Sequence, residues 1–279
     1  MTQPDTGERD SSERVQDSAA AWETSQPIAT RMDPDCGNGR PADGATGSGG
    51  QVVAEAVGEV TAGGQNAASS QASASDEGPG IRASALPPGQ YIPRTLPILH
   101  YGPVPAFHPE TWDLRIFGAT ASGDEAQLGW DDFSALPVSE IRADFHCVTK
   151  FTVPDLCWSG VMAADILRRF PPAPAVTHVM IWADFGYSAN IRISDFAADE
   201  TVLATHRNGE PLTPEHGYPL RLVVPSLYAW KSVKWVRAIE YMTVDRRGFW
   251  EERGYHNTAD PWREQRYSYQ ELEGEGPPL

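Results

Sequence analysis

Cysteine is scarce: the 279 residues hold three, at positions 36, 147 and 157. That number makes no disulfide framework, which fits a reducing compartment. There is no CxxC pair to start a zinc site and no CxxCH to attach haem. A glycine-rich dinucleotide fingerprint is missing, and so are a regular βαβ rhythm and any internal repeat. Basic residues are outnumbered 22 to 38, and the net charge of −16 argues against nucleic acid or an anionic membrane as partner. No apolar run reaches about 18 residues, so no membrane insertion is expected. The N-terminus has neither a basic region leading into an apolar core nor a twin-arginine pair. These absences predict a cytoplasmic protein without an export signal.

The first 90 residues also lack what a folded core needs. Up to Gln90 the only aromatic residue is Trp22, lysine is absent, and Gly, Ser, Ala, Asp and Glu dominate. Such a stretch cannot bury enough apolar surface to offset the entropy of ordering, so residues 1–90 are expected to form a disordered acidic tail. All seven histidines follow it. Residues 91–279 are expected to form one folded domain. Trp112 to Gly118 alternates and ends in glycine, which reads as a strand. Trp130 to Ala135 reads as a short helix, with Asp131 and Asp132 suited to its first turn. Met162 to Phe170 is a helix with Met162, Ile166 and Phe170 on one face. Further strands are expected over Glu140 to Phe145, Thr177 to Trp182, Ser188 to Ile193, Leu220 to Val224 and Trp235 to Val244. Strands with scattered short helices give an α+β class with mixed or antiparallel sheets.

Cys147, in Asp144-Phe145-His146-Cys147-Val148-Thr149, sits where a strand gives way to a turn. Its residues alone leave several readings open. A cysteine there serves as a small buried hydrophobe. A cysteine hydrolase would need a base such as His216 or His256, without a local nucleophile signature. A zinc site would draw on His146, Cys147 and Cys157. Downstream, His216-Gly217-Tyr218-Pro219-Leu220-Arg221 and Trp230-Lys231-Ser232-Val233-Lys234-Trp235 gather cationic donors.

Taken together, the order of motifs resembles the sulfite oxidase-like family of molybdopterin-dependent oxidoreductases, notably its small bacterial stand-alone members. The motifs are Pro93 to Pro105 (with Leu99-His100-Tyr101-Gly102), Asp144 to Thr149, His216 to Lys234, and Tyr255-His256-Asn257 with Asp260-Pro261-Trp262. The resemblance covers nearly all of Tyr91 to Tyr269. It implies a sulfite oxidase-like molybdopterin-binding domain and the molybdenum cofactor, Mo-molybdopterin. Cys147 would be the sole protein ligand to the metal, as suits a soft thiolate. His216 and Arg221 match the pair that contacts the pterin and its phosphate, where a guanidinium can make two parallel bonds. Ser232, Val233 and Lys234 match a backbone-and-lysine cradle, with Lys231 facing the metal pocket or the phosphate. His100, Tyr101 and Gly102 match a pterin-touching loop, and Asp184 or Ser188 another contact. Tyr187 and Lys150 are candidates for the substrate pocket.

Two departures bear on substrate. Leu99 stands where the sulfite-oxidising branch carries an arginine, and Lys150 where close relatives show arginine. A neutral pocket would hold sulfite dianion poorly. The resemblance therefore implies oxygen-atom transfer on a small sulfur- or nitrogen-oxide substrate, with electrons exchanged with a separate electron-transfer protein. A non-catalytic molybdopterin carrier is the alternative. The related dimeric enzymes carry an extra C-terminal sandwich domain, so a monomer is expected.

Overall fold

Alternating burial builds the first sheet. In β1 (Asp113–Gly118) Leu114 and Ile116 are fully buried while their neighbours are not. Gly118 closes the strand at φ +87°, and a Cβ there would lie 2.5 Å from the Tyr241 carbonyl oxygen, so only glycine fits. The structure, a computed structural model, describes residues 86–278. Strand β1 pairs antiparallel with β2 (Ala126–Gly129) and parallel with β10 (Val236–Met242). On its other side β10 pairs with β5 (His178–Ala183), and β5 with β6 (Ser188–Arg192), both antiparallel. The order β2-β1-β10-β5-β6 makes a mixed sheet.

The second sheet is antiparallel. It runs β3 (Ser139–His146), β4 (Thr152–Met162), β7 (Val202–Arg207) and β8 (Glu210–Pro211), and β9 (Arg221–Val223) also pairs with β7. Helices α1 (Trp130–Ser134), α2 (Ala163–Arg169) and α3 (Ile193–Phe196) are short. The fold is α+β with mixed and antiparallel sheets. Among the described residues no helix is long and apolar enough to cross a membrane. The tail expected over 1–90 lies outside the described residues, apart from 86–90.

The main core joins Leu114, Ile116, Ile181, Ile191 and Ile239 of the first sheet to Phe133 and Phe196 of the helices. Each such side chain contributes about 1.5–3 kcal/mol when fully buried. A second cluster, with Phe145, Trp158, Val202 and Val223, belongs to the second sheet.

Strands β2, β4 and β7 were not expected from the sequence. Pro154, Asp155 and Gly160 break the strand pattern inside β4. The pairing tolerates them through irregularities: the register shifts between Ala143 and Phe145, and Asp155 takes φ +53° with its amide donating to Asp144 Oδ1 at 2.9 Å. At Gly160 a Cβ would meet the Leu203 carbonyl oxygen at 2.1 Å, so the glycine marks a close approach of two strands.

The β3–β4 connection positions Cys147. Its amide donates to the Phe151 carbonyl at 2.8 Å, and the Lys150 amide returns to the Cys147 carbonyl at 3.0 Å. Lys150 closes this turn at φ +76°. Gln90, grouped with the tail by composition, donates from Nε2 to the Cys147 carbonyl at 3.1 Å, and Tyr91 bridges to Phe151. The folded chain therefore engages the site by Gln90 at the latest.

Candidate functional site

Cys147 is 7% exposed and free, and it opens onto a cavity of about 880 Å³. That is at the upper end of the range for ligand sites, about 300–1,000 Å³. Thr149 Oγ1 donates to the sulfur at 3.2 Å. Burial pushes the thiol pKa up, against weaker pulls from Thr149 and the Arg266 charge. A hydrolytic nucleophile needs the opposite shift. His146, beside it in sequence, is engaged by its strand partner: its Nδ1 meets Thr152 Oγ1 at 2.9 Å. Among the described residues no three His, Cys, Asp or Glu side chains converge to hold a metal. The zinc trio of His146, Cys147 and Cys157 is therefore not assembled. Cys157 lies in β4, where it pairs with Arg142.

The same cavity is lined by His216, Arg221, Ser232, Val233 and Lys234. Arg221 leaves β9 fully buried, its guanidinium over the Phe145 and Trp158 rings at 5.0 and 5.1 Å. Its hydrogen bonds go to main-chain carbonyls only: Leu222 at 3.4 Å, His216 at 3.2 Å and Ser232 at 3.1 Å. Lys234 is held likewise, by the carbonyls of Leu99 at 2.9 Å and Glu215 at 2.6 Å. Burial, with the Arg207 charge second, brings the Arg221 pKa to about 9. Burial and then Arg221 bring Lys234 to about 7. Buried cations satisfied by dipoles alone favour an anion beside them.

His216 is 2% exposed, with Nδ1 against Thr213 Oγ1 at 2.8 Å and a buried Nε2 that has no hydrogen-bonding partner. Burial first, then the charges of Arg207, Lys234 and Arg221, lower its pKa to about 3; only a weak pull from the Leu96 carbonyl opposes them. The ring is therefore neutral at pH 7. In the tautomer whose Nδ1 accepts from the Thr213 hydroxyl, Nε2 carries the hydrogen and can donate. Gly217, at φ +111°, lets the chain pass Arg221: a Cβ there would lie 3.0 Å from the Arg221 Cβ. Ser232 Oγ accepts the Val224 amide at 3.0 Å and fixes the cradle segment against β9.

Three more of the expected residues line the cavity: His100, Tyr101 and Tyr187. His100 Nδ1 donates to the Gly102 carbonyl at 3.0 Å, which leaves Nε2 as an acceptor when the ring is neutral. Tyr187 gives its hydroxyl to the Trp230 carbonyl at 2.7 Å, and burial first, then Glu251, raises its pKa well above the usual phenol value.

Five expected residues are outside the cavity lining. Lys231 is fully buried behind it, its Nζ bonded to Glu251 Oε1 at 2.6 Å and to Asn190 O and Oδ1 at 2.7 and 2.8 Å. The anion that a buried lysine requires is thus a carboxylate of this chain. Asp184 pairs with Arg237 at 3.1 Å and lines a separate cavity of about 180 Å³. Ser188 lies within β6, its carbonyl accepting the Phe249 amide at 2.9 Å. Lys150 is exposed, turned out by its left-handed backbone. Gly102, at φ +75°, shapes the loop from behind.

Sequence reasoning missed Thr149, Trp230, Trp250 and Tyr255 as lining residues. A density of aromatic residues from Phe249 to Tyr255, in an otherwise charged stretch, was the available signal.

Three features of the site bear on what it can hold. The one sulfur lining the cavity, Cys147 Sγ, offers a single soft ligand. His216 Nε2 is buried without a close hydrogen-bond partner, and Arg221 and Lys234 have no carboxylate within ion-pair distance, the Glu215 charge acting on Lys234 only from farther off. A metal carried on a phosphorylated organic ligand satisfies all three.

Residues 101–250 match the family model described as the oxidoreductase molybdopterin binding domain. An uncharacterized oxidoreductase of Bacillus subtilis (strain 168), YuiH, is 40% identical over 189 residues, 67% of this chain and 94% of that protein. The sulfite oxidase of Arabidopsis thaliana is 38% identical over 192 residues, covering 56% of this chain and 48% of its own length. The protein-methionine-sulfoxide reductase catalytic subunit MsrP of Gluconobacter oxydans (strain 621H) is 26% identical over 178 residues, 56% of each chain. The chain thus spans nearly all of the Bacillus protein and about half of the other two.

Proposed function

Because this chain belongs to the oxidoreductase molybdopterin-binding domain family, with sulfite oxidase-like relatives, we propose that it carries out oxygen-atom transfer on a small sulfur- or nitrogen-oxide substrate. It is a molybdopterin-dependent oxidoreductase, and its cofactor is molybdenum–molybdopterin. When bound, that cofactor supplies the two-electron chemistry and the exchangeable oxygen.

The protein's own work is to hold and to shield. Cys147 Sγ is the single protein ligand to the metal. Arg221 and Lys234 hold the phosphate, and His216 Nε2 donates to the pterin or its phosphate. The main chain of Ser232 and Val233 closes the cradle. Tyr187, neutral and locked to the Trp230 carbonyl, gives the substrate pocket a fixed wall without charge. In the reducing direction an oxide takes up two electrons and two protons, and leaves as the deoxygenated product and water. The electrons pass singly from a separate electron-transfer protein; the Gluconobacter oxydans relative is a catalytic subunit, which supports such a division.

The observation that carries this reading is the cavity that brings Cys147 together with Arg221 and Lys234, two buried cations bonded to carbonyls alone. An anaerobic assay with a reduced viologen dye tests it, against a panel of sulfoxides, N-oxides and sulfite. The reading expects dye oxidation with at least one oxide, lost in Cys147→Ser. A molybdenum-loaded protein inert to the whole panel would instead be a carrier.

A further inference from the structure

Two side chains from distant parts of the chain grip the turn that carries Cys147. Gln90 Nε2 donates to the Cys147 carbonyl at 3.1 Å, and Arg266 Nη1 donates to the Val148 carbonyl at 2.5 Å. Within the turn, the Cys147 amide and carbonyl are already bonded to Phe151 and Lys150. Arg266 therefore adds its hold on the next peptide group, Val148–Thr149. The Thr149 N–H, at the other end of that peptide, acts on the Cys147 sulfur as a backbone donor, beside the Thr149 hydroxyl at 3.2 Å.

Arg266 is itself rigidly placed. It is buried, with its guanidinium over the Tyr228 ring at 4.9 Å, and Tyr228 stacks in turn on Trp230 at 5.4 Å. Its amide donates to Gln270 Oε1 at 3.0 Å, and its carbonyl accepts the His256 amide at 3.1 Å. Its ion pair is loose: Glu264 Oε1 stands 3.7 Å from Nη2, on a half-exposed side chain, and Nη2 makes no hydrogen bond. Burying a cation costs desolvation that so loose a pair offsets only in part. The charge is left to act on the Val148 carbonyl, which it bonds, and on the Cys147 sulfur beyond it.

We propose that Arg266 is a positioning residue for the metal ligand, acting through the Val148–Thr149 peptide: it fixes the direction of the Cys147 sulfur and raises the reduction potential of the metal bound there. The inference rests on the reading of Cys147 as that ligand. A cation on the carbonyl end of a peptide polarises the whole group and strengthens its N–H as a donor. A thiolate that shares its electron density with such a donor gives less of it to a metal. The buried positive charge also stabilises the added electron directly. Both effects have the same sign, and both are outer-shell levers on a metal site. Gln90 has no part in the second effect, because its amide carries no charge.

The test is a potentiometric titration of the molybdenum-loaded full chain with dithionite and mediator dyes, read by the EPR signal of the one-electron-reduced metal. Arg266→Met is expected to weaken the first reduction about tenfold, a fall of about 59 mV in midpoint. Arg266→Lys, which restores the charge, is expected to recover at least about half of that fall. Arg266→Gln, which keeps a donor for Val148 without charge, replaces the methionine variant where that one does not fold, and its midpoint should also fall. Molybdenum content and Tm are measured alongside. An unchanged midpoint in a loaded neutral variant overturns the inference, and so does a lysine variant as low as the neutral one. Neutral variants that fold but hold no molybdenum, beside a loaded lysine variant, support it, since the sulfur then needs the cation to reach the metal. Loss of metal from the lysine variant as well overturns it, because Arg266 would then serve the fold alone. None of these outcomes touches the ligand reading. That reading, and this inference with it, falls if Cys147→Ser leaves the sulfur shell of the metal unchanged.

Discussion

Glu251 can be stripped of its charge while its shape is kept. Its Oε1 accepts from Lys231 Nζ at 2.6 Å and from Trp230 Nε1 at 2.8 Å, while its Oε2 has no partner. In Glu251→Gln the amide oxygen retains both bonds and the NH₂ replaces the idle oxygen. What is lost is the Coulomb attraction to a lysine that is 1% exposed at its side chain. At 2.6 Å and an effective dielectric of about 20, that attraction is about 6 kcal/mol. The two Asn190 contacts and proton loss from the lysine offset part of it, so the net cost should be about 3–5 kcal/mol. For a folded region of this size that is a fall in Tm of about 6–20 °C. The pH dependence gives a second readout. Burial already lowers the Lys231 pKa, and the Glu251 charge is the largest force raising it. Removing that charge widens the window in which the unfolded chain binds more protons than the folded one. The stability deficit should therefore be greatest at low pH and shrink as pH rises towards the ordinary lysine value. Adding Lys231→Met should recover most of the loss. Thermal scans by circular dichroism at pH 6, 8 and 10 decide it, and a Glu251→Gln protein within about 2 °C of wild type at pH 6 would refute the reasoning.

Cys147→Ser should abolish dye-coupled turnover while part of the pterin remains bound, read by pterin fluorescence after denaturation; retained turnover would contradict the metal-ligand role. Lys234, at about 7 in the free protein, should be pulled back to the charged state by an anion. Inorganic pyrophosphate binding to cofactor-free protein at pH 8 should therefore take up protons, detectable by calorimetry in buffers of different ionisation heat, and affinity should fall as pH rises from 7 to 10. Arg221→Lys keeps a charge but loses the planar stack on Phe145 and Trp158, and should lower cofactor retention on dialysis by roughly tenfold. Gly160→Ala forces a methyl against the Leu203 carbonyl and should cost at least about 1–3 kcal/mol by chemical denaturation.

Much of the fold was legible because burial follows the strand period. The expected strands at 112–118, 140–145, 177–182 and 188–193 match β1, β3, β5 and β6 to within one residue at each end. β4 was hidden by Pro154, Asp155 and Gly160, residues that signal a break locally but that the irregular pairing and the close approach to Leu203 accommodate. At the site, spacing identified residues that share a segment of chain: His216 and Arg221 flank a turn, and Ser232 to Lys234 run beside β9. Side-chain direction was not legible. Lys231 and Lys234 are three residues apart, yet one turns back to Glu251 and the other reaches the cavity rim. Lys231 ends the helical turn Ala229–Lys231, whereas Lys234 lies beyond it, just before the left-handed Trp235. Partners such as Gln90 and Glu251 reach the site through contacts that no local pattern encodes.

X-ray absorption at the molybdenum edge, paired with elemental analysis, tests the central claim most directly. The account predicts molybdenum in equimolar amount with the wild-type chain, and one fewer sulfur neighbour around the metal in Cys147→Ser. Molybdenum absent from the wild type, or an unchanged sulfur shell in the variant, would contradict it.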